Sequence, residues 1–122
     1  MSLNLTLKPQ IVWYLTIGDS KERQFLYYAE RPAGFFVEGK AVPTYNKITI
    51  EMPTRLMEST QKWLDSKDKT NMRLDWYDQI EGKVVESWTL KNVKKIAHFE
   101  SRSKVMDQRV MKLIISHEGF NA

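Results

Sequence analysis

The stretch LDWYDQIEGKVVESWTL, residues 74–90, predicts a β-hairpin that turns at Gly82. Trp76 shares one face of the first strand with the apolar residues that alternate before it, and Trp88 lies on the apolar face of the second strand. Paired strands with large apolar side chains on one face are typical of a sheet that covers a core. We therefore predict that Trp76 and Trp88 form part of the wall of a β fold. Tyr77 points to the other face and is predicted to be available for outside contacts.

Most of the remaining chain shows the two-residue apolar period of strands. Separate strands are predicted at residues 11–17, 23–29, 47–52, 93–99 and 109–120. Only one segment has a helical period, after Pro53, with Thr54 as the predicted N-cap. Its apolar stripe consists of Leu56, Thr60, Trp63 and Leu64. The predicted fold class is mainly β, a β-barrel or sandwich, with one short α-helix inserted midway.

Residues 30–46 interrupt this pattern. Prolines and glycines break regular structure there, so we predict an irregular arm rather than a strand. The arm carries an apolar tip formed by Phe35, Phe36 and Val37. A chain of 122 residues offers one small core, which cannot cover both this tip and strands that are apolar on both faces. We therefore predict that the tip lies in a contact between subunits.

The composition predicts one domain, residues 1–122, that folds in the cytoplasm where it is made. Hydrophobic residues make up 42% of the chain, and no apolar run approaches the roughly 20 residues that span a bilayer. The N-terminus does not have the sustained apolar stretch of a signal peptide. Cysteine is absent, which excludes disulfides, thiolate metal sites and a cysteine nucleophile.

Candidate catalytic and metal-binding residues are few. The two histidines, His98 and His117, stand in no spacing that recurs in hydrolase or metalloprotein motifs. Asp75 and Asp78 lie three residues apart, on opposite faces of a strand, and are expected to be solvated. The glycines are isolated and form no phosphate-binding loop. We expect no catalytic site, no metal site, no cofactor and no small-molecule substrate.

The net charge of +4 allows a second hypothesis, a small β module that binds RNA or DNA. Its candidate contacts combine lysines with aromatic side chains, as in single-strand binders: Tyr77, Lys91, Lys94, Lys95 and Phe99. Lysines on an edge strand also discourage unwanted pairing, and nearby acids dilute the positive potential. A solvated strand edge is therefore the alternative interpretation of the same lysines.

The C-terminal half of the chain resembles a known family. GKVVESWTLKNV (residues 82–93) matches a recurring hairpin with spaced Gly, Val, Trp and Leu, and LIISHEGF (residues 113–120) matches a closing strand that ends in His-Glu-Gly. Together with the order of strands, arm and short helix, these motifs resemble the tail tube proteins of contractile bacteriophages. That family is related to the Hcp tube protein of type VI secretion and to the tubes of phage-derived injection systems. Val93 stands where Ala is common in the family.

The resemblance implies a structural tube subunit of a contractile tail or injection apparatus. Such subunits form hexameric rings that stack into a hollow conduit for DNA or effector proteins. The implied partners are other copies of the chain and the sheath, baseplate and tape-measure proteins. The implied location is a virion tail assembled in the bacterial host cytoplasm, or the tube of an injection system. The resemblance does not separate a phage tail from a secretion tube, or a main subunit from an initiator, terminator or paralogue.

The resemblance also implies that three strands, at residues 47–52, 93–99 and 109–120, form the inner wall. Alternation then assigns the lumen-facing positions to Lys47, Thr49, Glu51, Lys112 and Ser116. A conduit for DNA should not hold its cargo by phosphate contacts. We therefore expect Glu51 to offset Lys47 across neighbouring strands.

Overall fold

The computed structural model describes residues 10–37, 40–103 and 107–121, and for residues 34–37 and 40–45 it describes the backbone alone. The elements are β1 (Ile11–Ile17), β2 (Gln24–Leu26), β3 (Tyr28–Ala29), β4 (Ala33–Val37), β5 (Lys40–Tyr45), β6 (Lys47–Met52), α1 (Glu58–Asp65), β7 (Thr70–Asp78), β8 (Lys83–Arg102), β9 (Arg109–Ser116) and β10 (Gly119–Asn121). The fold is mainly β with one short helix midway, as predicted. Across these ranges, no helix is long and apolar enough to cross a membrane.

The predicted hairpin is formed by β7 and β8. Leu74 lies opposite Trp88, and the turn contains Gly82 with a φ of 69°. Glycine adopts this left-handed backbone without the steric cost of a Cβ atom. The separate strand predicted at residues 93–99 is wrong, because β8 continues without a break to Arg102. The apolar period alone did not show that the two segments form one strand.

A bend in β8 folds the sheet over on itself. Asn92 has a left-handed φ of 48°, which asparagine tolerates better than most residues, and a β-bulge follows between Lys95 and Ala97. β8 pairs with β7 before the bend and with β9 after it. The strand order is β2-β1-β7-β8-β9-β6-β3, with β10 paired to β8. Only Tyr27 separates β2 from β3 in the chain, so the two ends of this order meet and the strands enclose a core as in a barrel.

The core lies inside the rolled sheet and against one face of α1. The apolar face of β6 and β9 contributes side chains that are at most 2% exposed: Ile48, Ile50, Leu113 and Ile115. The buried side chains of α1 are those of the predicted stripe: Thr60, Trp63 and Leu64. Each large apolar side chain buried in this way contributes about 1.5 to 3 kcal/mol to stability.

The N-terminus of α1 is not capped as predicted. Thr54 does not cap the helix; Met57 holds the N-cap position without a side-chain cap. Distant residues satisfy the free amides instead. Gln24 accepts a hydrogen bond from the Met57 N–H at 2.9 Å, and Glu22 accepts one from the Ser59 N–H at 3.0 Å. The sequence pattern indicates only caps that are adjacent to the helix in the chain. The side chains that accept hydrogen bonds from these amides come instead from the segment around β2.

Three other segments differ from their predictions. The single strand predicted at residues 109–120 is divided, because β9 ends at Ser116 and β10 begins at Gly119, where it pairs with β8. The single strand predicted at residues 23–29 is split at Tyr27, where the chain passes from one end of the strand order to the other. The irregular arm is a two-stranded hairpin of β4 and β5. A bulge between Ala33 and Gly34 brings Gly34 opposite Pro43, and proline is tolerated at bulges and sheet edges. Gly34 and Pro43, which were predicted to interrupt regular structure, therefore lie at a β-bulge within the hairpin.

Candidate functional site

The tryptophans of the hairpin belong to the wall, as predicted. Trp76 is 3% exposed and meets Trp13 edge to face, with ring centroids 6.4 Å apart. Trp88 is half-buried and meets Phe120 in the same manner at 5.5 Å. These rings stabilise the fold by packing against one another. They do not form an open platform for a ligand.

Arg31 ties the arm to the hairpin, because it lies just before β4. Its guanidinium donates to both carboxylate oxygens of Glu86, with an Nε to Oε2 distance of 2.7 Å and an Nη2 to Oε1 distance of 3.0 Å. The guanidinium carbon lies 5.3 Å from the centroid of the Trp76 ring. The hydrogen bond from Arg31 is the main cause that lowers the pKa of Glu86, and Trp88 Nε1 also donates to this carboxylate. The planar guanidinium and carboxylate are joined by two hydrogen bonds. The pair therefore sets the orientation of Arg31 relative to Glu86 in addition to bringing opposite charges together.

β4 and β5 form the arm, a separate sheet of two strands. A two-stranded sheet is at best marginally stable alone, so the arm depends on what it packs against. Within one chain, β5 lies close to β10. Phe35, Phe36 and Val37 belong to β4, but their side chains lie outside the part that the structure describes. Their place in a subunit contact therefore stays a prediction.

The candidate lumen positions share the face of β6 and β9 that points away from the core. Cross-strand neighbours on this face are Lys47 with Ser116, Thr49 with Ile114, and Glu51 with Lys112. Phe99 of β8 lies beside Lys112 on the same face, and the alternation within each strand did not indicate that these two residues are neighbours. The face is therefore polar along β6 and more apolar toward β8. Its exposure to a lumen stays a prediction.

Glu51 differs from the other candidates on this face. It is 5% exposed, and its Oε1 atom has no hydrogen-bond partner among the described residues. The expectation that Glu51 offsets Lys47 is wrong, because both lie on β6 and the residue opposite Glu51 is Lys112. The single chain therefore exposes Lys47 on this face while Glu51 lies beneath its neighbours.

The second half of β8 has a free edge. From Lys94 to Arg102 one side of the strand pairs with β9, and none of the described strands pairs with the other side. Ile96 and Phe99 on this stretch expose 46% and 45% of their surface. A free strand edge that carries exposed apolar side chains is a template for pairing with another chain. The layer β8-β9-β6-β3 thus ends in an open edge at β8.

The candidates for nucleic-acid binding do not come together. Tyr77 pairs with Val84 near the start of β8, whereas Phe99 lies near the end of the same 20-residue strand. Lys95 is already engaged, because its Nζ donates to the carbonyl of Leu64 at 2.7 Å. Tyr77 on β7 is therefore far from the other four candidates, which lie on β8 around and after its bend, and one of these four, Lys95, is already engaged.

Three of the four acidic and histidine side chains considered from the sequence are buried: Asp75, Asp78 and His117. Asp75 and Asp78 are not solvated as expected but only 2% and 5% exposed, and Asp75 accepts a hydrogen bond from Ser87 Oγ at 2.6 Å. His98 is exposed, while His117 is 2% exposed and burial lowers its pKa. No described group of three His, Cys, Asp or Glu residues is placed to hold a metal ion.

Comparison with known proteins identifies the fold. No protein-family model matches the sequence, and no curated protein matches it. The structure of Hcp1 from Flavobacterium johnsoniae is similar, with a TM-score of 0.65 and 9% identity over 90% of this chain and 93% of that chain. Hcp1 from Salmonella typhimurium gives a TM-score of 0.63 and 11% identity over 92% and 85%. The chain has the Hcp fold.

The fold is also similar to that of a tube-terminating cap. The tube-terminating cap of the anti-feeding prophage has a TM-score of 0.59 and 11% identity, over 99% of this chain and 93% of that chain. The similarity therefore extends over nearly the full length of this chain and of the proteins compared with it. They confirm the fold that the resemblance implied, from the first strand to the closing one.

Proposed function

We propose that the chain is a structural tube subunit of a contractile tail or injection apparatus. The likeness in fold to Hcp1 and to a tube-terminating cap supports this role. The observation that carries the proposal is the free edge of β8 between Lys94 and Arg102, with Ile96 and Phe99 exposed beside it. Another copy of the chain supplies the pairing and the apolar cover that this edge requires.

The proposed contact is head to tail. The free edge at β8 in one copy meets a different surface of the next copy, because no second free edge of this kind faces it within the described strands. A contact between two different surfaces closes into a ring when the rotation between copies permits. The ring has six subunits in this proposal, the number that the resemblance implies.

The arm provides a second proposed contact between subunits, through Phe35, Phe36 and Val37 in β4. A two-stranded arm gains stability when a neighbour covers it, and its base is fixed by the Arg31–Glu86 pair. Large apolar side chains in a subunit contact contribute a large part of the binding energy. The arm thus complements the edge contact of β8.

Stacked rings form the proposed conduit for DNA or effector proteins. The face of β6 and β9 that carries Lys47, Thr49, Lys112 and Ser116 lines the bore in this proposal, because the opposite face is filled by the core. Glu51 shares this face but is buried beneath its neighbours. The partners of the tube are sheath, baseplate and tape-measure proteins. Assembly takes place in the bacterial host cytoplasm.

Sedimentation velocity tests the proposal against the nucleic-acid module. We expect large species without any ligand, and we expect the double variant Ile96→Asp with Phe99→Asp to sediment as a monomer. Val85→Asp is the matched control, because Val85 is 50% exposed but lies away from the free edge. A wild-type monomer that binds oligonucleotide, with affinity falling steeply as salt rises, would contradict the proposal and support the module.

A further inference from the structure

The turn between β7 and β8 presents one exposed apolar side chain. Ile80 exposes 74% of its surface, more than any other large hydrophobic residue that the structure describes. Glu81 beside it is also exposed. Isolated exposed side chains are common on monomers, so Ile80 alone indicates little. Whether Ile80 marks a binding surface depends on whether its turn is rigid and on whether another surface is complementary to it.

Asp78 holds this turn in one conformation. Its Oδ1 atom accepts hydrogen bonds from the Ile80 and Glu81 amides, both at 2.9 Å, and its carbonyl accepts one from the Gly82 amide at 2.8 Å. Gln10 Nε2 donates to the other carboxylate oxygen at 2.9 Å. The hydrogen bonds to the carboxylate lower the pKa of Asp78, and the bond from the Glu81 amide has the largest effect. A turn fixed in this way presents Ile80 with little ordering cost on binding.

A cavity of about 420 Å³ lies beside the C-terminal end of α1. Trp63 and Leu64, both buried, supply apolar lining. The charged residues around it are three lysines and two aspartates: Lys67, Lys94, Lys95, Asp65 and Asp68. A cavity of about 150 Å³ already accommodates a benzene-sized group. This cavity is larger, so it can hold an isoleucine side chain together with part of the β-turn that carries it.

The turn and the cavity lie at opposite ends of β7. The cavity lining ends at Asp68, just before β7 begins at Thr70, and the turn follows where β7 ends at Asp78. Nine residues of strand span roughly 30 Å, so Ile80 cannot reach the cavity of its own chain. A second copy placed end to end brings the two together. The signs also match, because Glu81 then approaches a lining with more lysines than aspartates.

We propose that Ile80 of one subunit enters the cavity at the end of α1 in a subunit of the next ring. Glu81 then faces Lys67 and Lys94. This inference rests on the proposed function and names the contact that stacks the rings. The two surfaces differ and lie at opposite ends of β7, so the contact repeats without closing, as an extendable tube requires.

Disulfide trapping tests the contact, because the chain contains no cysteine of its own. The double variant Ile80→Cys with Asp68→Cys should form a ladder of covalent oligomers on oxidation. The control combines Ile80→Cys with Gln61→Cys, an exposed position on α1 that does not line the cavity. The control should give dimers at most. Ladders of equal yield in both variants, or in neither, would overturn the proposal.

A second experiment separates this contact from ring formation. Ile80→Ser should leave rings intact and raise the protein concentration needed for stacking about tenfold or more. Glu81→Lys should also weaken stacking, and adding Lys67→Glu, at a position that lines the cavity but lies outside the free edge of β8, should restore it. Val85→Ser, on the same hairpin, should stack as the wild type does. Rings of Ile80→Ser that stack normally overturn this contact alone, whereas a wild type that forms no rings overturns the proposed function together with it.

Discussion

Arg31 and Glu86 join the base of the arm to the wall of the barrel through two parallel hydrogen bonds of 2.7 and 3.0 Å. The guanidinium also lies over the ring of Trp76, which is part of that wall. The side chains of Arg31 and Glu86 are 60% and 28% exposed, so solvent screens their attraction. The pair therefore orients the arm more than it stabilises the fold.

Replacing Arg31 should affect assembly more than folding. Arg31→Gln loses both the two-point pairing and the charge over Trp76, yet we expect the free energy of unfolding to fall by no more than about 1 kcal/mol. Ring formation should require a higher protein concentration, because the arm loses its fixed direction. Urea unfolding and sedimentation velocity measure the two effects. Lys62→Gln, which breaks the exposed Lys62–Glu58 pair on α1, is the control and should change neither.

The tip of the arm should be required for assembly. Phe35→Ser combined with Phe36→Ser removes two side chains that each contribute about 1.5 to 3 kcal/mol when buried. A ring repeats that loss at every contact, so the double variant should remain monomeric. Its circular dichroism should stay that of the wild type, because the core described for the barrel consists of residues outside the arm. Normal tube formation by the double variant would remove these residues from the interface.

Single cysteines should reveal which face lines the bore. Thr49→Cys and Ser116→Cys place a thiol on the face of β6 and β9 that points away from the core. In assembled tubes these thiols should react with a small reagent that enters the bore and resist a bulky one. Gln61→Cys on the exposed surface of α1 should react with both. Equal labelling of Thr49→Cys by both reagents would place this face on the exterior.

His117 should make stability depend on pH. Burial lowers its pKa in the folded chain below the ordinary value near 6.5, so the unfolded chain binds the proton first as the pH falls. The free energy of unfolding should therefore be highest above about pH 6.5 and decrease as the pH falls from there toward the folded pKa. Urea unfolding between about pH 7 and pH 5 measures this. His117→Gln should flatten the dependence and His98→Gln should preserve it; an unchanged slope in His117→Gln refutes the assignment.

The sequence was sufficient for the elements whose cause is local or periodic. Alternation identified the core faces of β6 and β9, and the spacing of Trp63 and Leu64 identified the buried face of α1. Features set by distant contacts were missed. Gln24 caps a helix 33 positions away, and Asn92 bends a strand whose two halves looked independent.

The candidate site was predictable only in part. Alternation placed Lys47 and Ser116 on one face, and register confirmed that they are neighbours. It did not show that Glu51 lies opposite Lys112, because register between strands far apart in the chain depends on the whole sheet. The free edge of β8 was not predictable either, because a free edge is defined by which strand fails to pair.

Negative-stain electron microscopy of the purified wild-type protein is the most direct test of assembly into a tube. We expect closed rings with a central opening, and at higher protein concentration stacks of such rings that form hollow tubes. The same images count the subunits in each ring. Uniform small particles at every concentration, with no ring among them, would show that the protein is not a tube subunit.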